Sequence, residues 1–152
     1  MESGMSSDPM EARGIIPLRF RNGISVAEVR VARPTDRLED VVRFYRDGLG
    51  LPKLCRFADH DGYDGIMLGL PGRSYHLEFT HHRNGSPCQA PSRDNLLVLY
   101  LPDPSDFERM RGQLSALGHQ PVAPENPYWL DKSVTFEDPD GWRVIPCQTS
   151  GI

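Results

Sequence analysis

Residues 34–50, PTDRLEDVVRFYRDGLG, have a counterpart 68 residues further along the chain at residues 102–118, PDPSDFERMRGQLSALG. Both stretches begin at a proline and end on Leu-Gly, and both carry apolar side chains at helical spacing. This spacing predicts an amphipathic helix in each stretch, and Gly50 and Gly118 suit a helix C-cap. A repeat of this length indicates two copies of one supersecondary unit.

Similar elements surround each predicted helix. Alternating polar and apolar residues, and apolar runs bounded by turn residues, predict one strand before the helix and three after it. In the first half these strands span residues 28–33, 54–57, 65–70 and 75–82, with turn residues at Asp61-Gly62 and Pro71-Gly72. In the second half they span residues 95–101, 120–123, 133–137 and 142–147. A β-α-β-β-β unit of this size cannot bury its own sheet, so the two units are expected to pair.

These boundaries divide the chain into a tail and one domain. Residues 1–25 are rich in Ser, Gly and Met without a sustained period, and a flexible N-terminal tail is expected there. Residues 26–150 are expected to form a single α+β domain. Its two βαβββ modules are predicted at residues 26–83 and 95–148, and a linker containing Gly and Pro joins them at residues 84–94.

Composition excludes several classes of protein. The 152 residues carry a formal charge of −4, which argues against a general nucleic-acid binder. No apolar run approaches the ~18 residues of a membrane span, and no secretory signal is visible, so a cytoplasmic protein without a membrane partner is expected. Cys55, Cys88 and Cys147 form no C-x-x-C pair, which argues against a disulfide framework or a zinc knuckle.

Two local motifs within the repeated modules resemble the vicinal oxygen chelate superfamily, which includes glyoxalase I, bleomycin-resistance proteins and extradiol dioxygenases. The first motif is Asp36-Arg37-Leu38-Glu39 with Phe44-Tyr45 and Gly48-Leu49-Gly50-Leu51. The second is Phe136-Glu137-Asp138-Pro139-Asp140-Gly141-Trp142. Three further segments, at residues 60–65, 75–80 and 125–129, are similar to a bacterial branch of this superfamily.

The resemblance implies a curled eight-stranded mixed sheet around a cavity, with the helices outside, and a homodimer. It also implies metal ligands on the first, fourth, fifth and eighth strands of the two modules. These positions fall on Arg30, on Glu78, on Leu96 or Leu97, and on Ile145, so only Glu78 keeps a family ligand. An arginine cannot ligate a metal because its guanidinium only donates. No metal cofactor is therefore expected, and Arg30 is expected to pair with Glu78.

A divalent metal at a different place remains an alternative. His76 and Glu78 share one face of a predicted strand because side chains alternate along it. A third ligand would come from elsewhere in the chain, and His60 is the candidate.

The polar face of the same strand is expected to line the cavity, because Leu77 and Phe79 occupy the opposite face under the first helix. The aromatic residues Tyr63, Tyr128 and Trp129 lie in loops rich in Gly and Pro, which often carry binding residues. The candidate ligand-binding residues are Arg30, His60, Tyr63, Asp64, His76, Glu78, Thr80, Tyr100, Tyr128 and Trp129.

Two function classes fit these residues. The first is a protein that binds a small organic molecule in a polar and aromatic cavity, like the bleomycin-resistance proteins, without the family metal. The second is an enzyme of the lyase, isomerase or dioxygenase type. In that alternative, Glu78 or His76 is the candidate general base or metal ligand, and Arg30 is the candidate electrophilic group.

Overall fold

The order of strands and helices in the computed structural model, which describes residues 17–70 and 72–152, follows the repeat. Most of the expected tail, residues 1–16, lies outside the described residues, as does Pro71 of one expected turn. Within residues 17–25, where the tail was expected to continue, regular structure is already present. Strand β1 (Leu18–Arg19) pairs antiparallel with strand β2 (Ser25–Val26) in a short exposed hairpin.

The first module is a four-stranded sheet with one helix. Its elements are β3 (Val29–Pro34), α1 (Leu38–Val42), which continues as a π-helical turn (Arg43–Gly48), β4 (Lys53–His60), β5 (Tyr63–Gly69) and β6 (Tyr75–His82). The strand order is β3-β6-β5-β4, with β3 parallel to β6 and the other pairs antiparallel. The first and last strands of the module are therefore neighbours.

The second module repeats this plan with a smaller sheet. Its elements are β7 (Leu96–Tyr100), α2 (Pro104–Ala116), a 3-10 helix (Pro127–Leu130), β8 (Phe136–Glu137) and β9 (Arg143–Cys147). The order is β7-β9-β8, with β7 parallel to β9. The strand predicted at residues 120–123 is reduced to one bridge between Val122 and Thr135. Pro121 and Pro124 flank that bridge and lack the N–H groups that would extend the ladder. The resemblance implies eight strands for the two modules. Their described residues form seven strands, and the eighth is reduced to this bridge.

The hydrophobic core lies between the sheets and the two helices. Val41, Val42 and Phe44 of the first helix are fully buried, as is Leu114 of α2. A Cβ on Gly48 would lie 2.7 Å from Leu114 Cδ2, so the glycine allows the two helices to approach closely. No helix within residues 17–70 and 72–152 is long and apolar enough to cross a membrane.

A buried cluster of polar side chains joins the two modules. Arg33 of β3 donates to Asp140 Oδ2 at 2.9 Å and makes an even closer ion pair with Asp138 Oδ2. The Tyr45 hydroxyl donates to Asp138 at 2.7 Å, and the Thr35 hydroxyl donates to Asp140 at 2.6 Å. We call these five residues the junction cluster. It connects the first strand and helix of one module to the Asp-Pro-Asp-Gly turn of the other.

Burial strengthens the electrostatics of the junction cluster. The Asp138 side chain is fully buried and that of Arg33 is 12% exposed. Burial disfavours the guanidinium charge, but Asp138 and Asp140 outweigh this effect and raise the pKa of Arg33. Burial, and then the charge of Asp138, hold the pKa of Tyr45 well above its usual range, so its hydroxyl remains a donor. Each charge in the cluster therefore depends on a partner from the other module.

The variant Arg33→Met should lower the free energy of unfolding by about 3–5 kcal/mol, because it leaves the Asp138 carboxylate buried without its cation. Urea unfolding followed by circular dichroism measures this loss. The matched control is Arg109→Met, which breaks an exposed ion pair with Asp106 on α2. The control should keep the wild-type midpoint. Equal midpoints for the two variants would mean that the junction cluster does not hold the modules together.

Candidate functional site

The candidate residues of β3 and β6 lie side by side because these strands are parallel neighbours. Arg30 is opposite His76, and Ala32 is opposite Glu78. The Arg30 Nε donates to His76 Nε2 at 2.9 Å, and its Nη1 lies 3.4 Å from Glu78 Oε2. The ion pair between Arg30 and Glu78 that the sequence predicts is therefore present. We call Arg30, His76 and Glu78 the arginine cluster.

The contact with Arg30 fixes the tautomer of His76. Since an arginine N–H can only donate, His76 Nε2 must accept, and the ring proton is on Nδ1. That nitrogen lies 2.9 Å from Glu28 Oε1, although the alignment is not that of a hydrogen bond. The His76 side chain is 6% exposed, so the strand and its neighbours hold the imidazole firmly in this position.

An apolar floor adjoins the arginine cluster on the same face of the sheet. A Cβ on Gly65 would lie 2.3 Å from the ring of Phe57, and a Cβ on Gly69 would lie 2.2 Å from Leu54. The two glycines thus allow these side chains to lie flat across β5. Between them, Met67 Sδ accepts a hydrogen bond from Arg30 Nη2 at 3.4 Å. A molecule resting on this face would meet carbon and sulfur beside a guanidinium.

Arg30 is the most accessible member of the cluster. Its side chain is 47% exposed, against 11% for Glu78. This exposure leaves the face open on one side. Thr80 follows Glu78 on the same face of β6 and lies opposite Gly65. The arrangement offers an oriented donor on an open, partly apolar surface.

A second group of predicted residues lies at the turn between β4 and β5. His60 pairs with Tyr63, and the Tyr63 ring packs edge-on against His82 at 4.6 Å between ring centres. Asp64 caps the turn by accepting the Asp59 N–H at 2.9 Å. His82 is six residues from His76 along β6, or roughly 20 Å. Because His60 pairs with Tyr63, and Tyr63 pairs with His82, His60 lies at the far end of β6 from His76. It cannot supply the third ligand of the alternative metal site.

The remaining aromatic candidates lie in the second module. Tyr100, Tyr128 and Trp129 line a cavity of about 170 Å³ together with Lys132 and Cys147. The Tyr128 and Trp129 rings meet edge-on at 4.9 Å. Tyr100 was expected to share a cavity with the arginine cluster, but the structure places it in this separate one. The loop that carries Tyr128 and Trp129 thus lies beside the end of β7.

The donor set does not fit the divalent metal of the superfamily. No group of three His, Cys, Asp or Glu side chains in the described part of the chain is placed to hold a metal ion. Of the positions that the resemblance relates to ligands, Ile145 is fully buried and apolar, and Leu97 packs against the core. A hard divalent ion needs several converging oxygen or nitrogen donors. Among these positions Glu78 supplies the one carboxylate, and the guanidinium of Arg30 stands beside it.

Sequence reasoning did not select Glu28 or Phe57 for this face. Alternation along the chain places Glu28, Arg30 and Ala32 on one side of β3, so Glu28 could have been found from the strand pattern alone. Phe57 could not, because its position over Gly65 depends on the pairing of β4 with β5.

The modules match known families along most of their length. The model of the YycE-like N-terminal domain matches residues 29–80, and that of the YycE-like C-terminal domain matches residues 94–146. The uncharacterized protein YycE of Bacillus subtilis (strain 168) is 44% identical over 131 residues, which is 86% of this chain and 94% of that protein. The chain belongs to the YycE-like family.

Solved structures relate the YycE-like fold to a larger group. The crystal structure of a YycE protein of unknown function from Bacillus subtilis has a TM-score of 0.84 and 44% identity, covering 89% of this chain and 98% of that one. A glyoxylase/bleomycin resistance protein/dioxygenase domain from Frankia sp. EAN1pec has a TM-score of 0.60 and 17% identity, covering 79% and 94%. The fosfomycin resistance protein FosX from Mesorhizobium loti has a TM-score of 0.60 and 14% identity, covering 80% and 90%. The YycE-like fold is therefore that of the vicinal oxygen chelate superfamily.

Proposed function

We propose that this YycE-like protein binds a small organic molecule on the open face beside the arginine cluster, and that it does so without the metal of related enzymes. The observation that carries the proposal is the guanidinium of Arg30, which is half-exposed while buried side chains orient it. In this role Arg30 donates hydrogen bonds to an oxygen of the ligand.

The contacts of Arg30 leave donors available. His76, Glu78 and Met67 each engage one nitrogen of the guanidinium. A guanidinium carries more N–H groups than these contacts use, so donors remain for a ligand. Because Glu78 and Glu28 bring negative charge to the same face, an uncharged oxygen such as a carbonyl suits Arg30 better than a multiply charged anion. The carbon skeleton of the ligand would pack on Phe57 and its apolar neighbours.

An enzyme of the lyase, isomerase or dioxygenase type is the second candidate function. The observation in its favour is that His76 and Glu78, which could each take a proton, flank the electrophilic Arg30. Against it, His76 Nε2 already accepts from Arg30, and Glu78 is mostly buried. A base must reach the proton that it abstracts, so binding is the better-supported function.

We also propose that the protein acts in the cytoplasm as a homodimer. A molecule bound at Arg30 would be exposed on one side, and a second copy of the chain could provide the missing wall. Apolar side chains of the 3-10 helix support this, since Tyr128 is 75% exposed and Leu130 is 69% exposed. Residues of this kind commonly lose their exposure at an interface.

The homodimer predicts a mass in solution of twice 17.1 kDa by light scattering. The double substitution Tyr128→Ser and Leu130→Ser should shift the population towards the monomer, because it removes apolar area from the proposed interface. Ile24→Ser, at a 54% exposed position of the N-terminal hairpin, serves as a comparison for a general loss of surface hydrophobicity. A wild-type protein of 17.1 kDa at high concentration would contradict the homodimer.

The absence of a metal is tested by offering the purified protein Ni, Mn, Fe, Co and Zn salts, desalting it and measuring retained metal by mass spectrometry. We expect far less than one ion per chain and no rise in melting temperature, because Glu78 lacks converging co-ligands. Retention near one ion per chain, lost in Glu78→Ala, would contradict the proposal.

The role of Arg30 is tested with a panel of small carbonyl compounds, screened by the rise in melting temperature that binding causes. The variant Arg30→Met keeps most of the side-chain stem and removes the donors. Kd for any compound that binds the wild type should rise at least about tenfold, the cost of a charged hydrogen bond. Arg43→Met, which changes an exposed arginine of the helix, is the matched control and should bind normally.

Binding retained in Arg30→Met would overturn the proposed site. Glu78→Gln separates the two function classes for any compound that is turned over. An enzyme that uses this carboxylate as its base would lose turnover and keep affinity.

A further inference from the structure

A cleft between the two modules lies apart from the arginine cluster. Its volume is about 260 Å³, and it is bounded by β3 on one side and β7 on the other. Each of these strands is the outer strand of its sheet among the described residues. Leu77 and Phe79 line the cleft, and they alternate with His76 and Glu78, so the cleft opens on the opposite face of the first sheet.

Aromatic rings form much of the wall of the cleft. The rings of Phe79 and Trp142 flank the guanidinium of Arg33, with 5.0 and 5.2 Å between its central carbon and the ring centres. Tyr75 adds a third ring at the position opposite Val29 on β3. Flat apolar surfaces of this kind pack best against another flat aromatic group.

The cations that line the cleft are already neutralised. Asp138 and Asp140 engage Arg33. Arg143 is 4% exposed and donates to Glu137 at 2.9 Å and to the Ala123 carbonyl at 3.0 Å. Neither guanidinium is available to draw an anion into the cleft, so an uncharged ligand fits it best.

Two polar side chains of the lining have unused hydrogen-bond donors. The Tyr75 hydroxyl makes no hydrogen bond with the described residues, and burial raises its pKa, so it keeps its proton. Asn95 accepts a hydrogen bond from the Ser92 hydroxyl at 2.7 Å through its oxygen, which leaves its amide N–H groups free. Both groups call for an oxygen acceptor on the ligand.

The volume limits the size of the ligand. A closed apolar cavity of ~150 Å³ accommodates benzene. A cleft of about 260 Å³ is large enough for a bicyclic aromatic ring with a small substituent.

We propose that the cleft between β3 and β7 is a second binding site, which takes an uncharged bicyclic aromatic compound with a carbonyl oxygen. The rings of Trp142 and Tyr75 pack against it, Phe79 forms part of the wall behind Arg33, and Tyr75 or Asn95 donates to its oxygen. This site does not depend on the ligand proposed for Arg30.

The probe for the test is 2-acetylnaphthalene, with Kd measured by equilibrium dialysis. In a Trp129→Phe background, Trp142 is the one tryptophan left, and its emission reports occupancy of the cleft. We expect about one molecule per chain, with Kd on the order of 100 μM for a ligand of this size, and quenching that follows occupancy.

Val31 lines the cleft and is 51% exposed, so it can be changed with little risk to folding. Val31→Phe fills the cleft and should raise the Kd for 2-acetylnaphthalene at least about tenfold, whereas Val31→Ala should change it by less than about threefold.

Tyr75→Phe should raise the Kd for 2-acetylnaphthalene by about three- to tenfold, the value of one hydrogen bond. The same variant should not affect 2-ethylnaphthalene, which lacks the oxygen. Arg30→Met should leave both compounds unaffected.

Three results would overturn the proposal. They are no saturable binding of 2-acetylnaphthalene to the wild type, undiminished binding of it to Val31→Phe, and an equal loss of affinity for 2-acetylnaphthalene and 2-ethylnaphthalene in Tyr75→Phe. If the wild type does not bind the probe and Val31→Phe changes a dimer into a monomer, the cleft is instead a contact between two copies of the chain. Loss of carbonyl-compound binding at Arg30 alone would leave this site intact, so the two proposals fail separately.

Discussion

The architecture depends on the ion pair between Arg33 and the two carboxylates of the Asp-Pro-Asp-Gly turn. Arg33 and Asp138 are 105 residues apart in sequence, yet the guanidinium and the carboxylate are buried together. Removing one partner leaves a charge in a medium that cannot solvate it, so the two modules are bound to a narrow range of orientations. The contact between the helices at Gly48 and the width of the cleft beside β7 both follow from that orientation.

Much of the fold could be predicted from local patterns. The repeat and the helices rest on alternation and helical periodicity. The pairing of Arg30 with Glu78 was expected from the superfamily resemblance, which makes the first and last strands of a module neighbours. The strand expected at residues 120–123 failed for an equally local reason, since prolines on both sides limit it to one bridge. The junction cluster could not be predicted, because no periodicity relates Arg33 to a turn so distant in the chain.

The candidate site was predictable only where strands carry it. Residues on β3 and β6 are placed by register, and they meet as expected. Tyr100, Tyr128 and Trp129 meet each other in a separate cavity, because the path of a loop between two elements is not encoded in any simple period. The residues around His60 belong to a turn whose distance from the arginine cluster is set by the length of β6.

Strand β3 presents Arg30 and Arg33 on opposite faces, because three positions separate them and side chains alternate. One arginine is half-exposed at an open surface, and the other is enclosed by the second module. A substitution at Arg30 therefore changes the open surface without removing a contact of the junction cluster. The two faces of one strand thus divide two tasks, since one face carries an exposed cation and the other carries a buried cation that joins the modules.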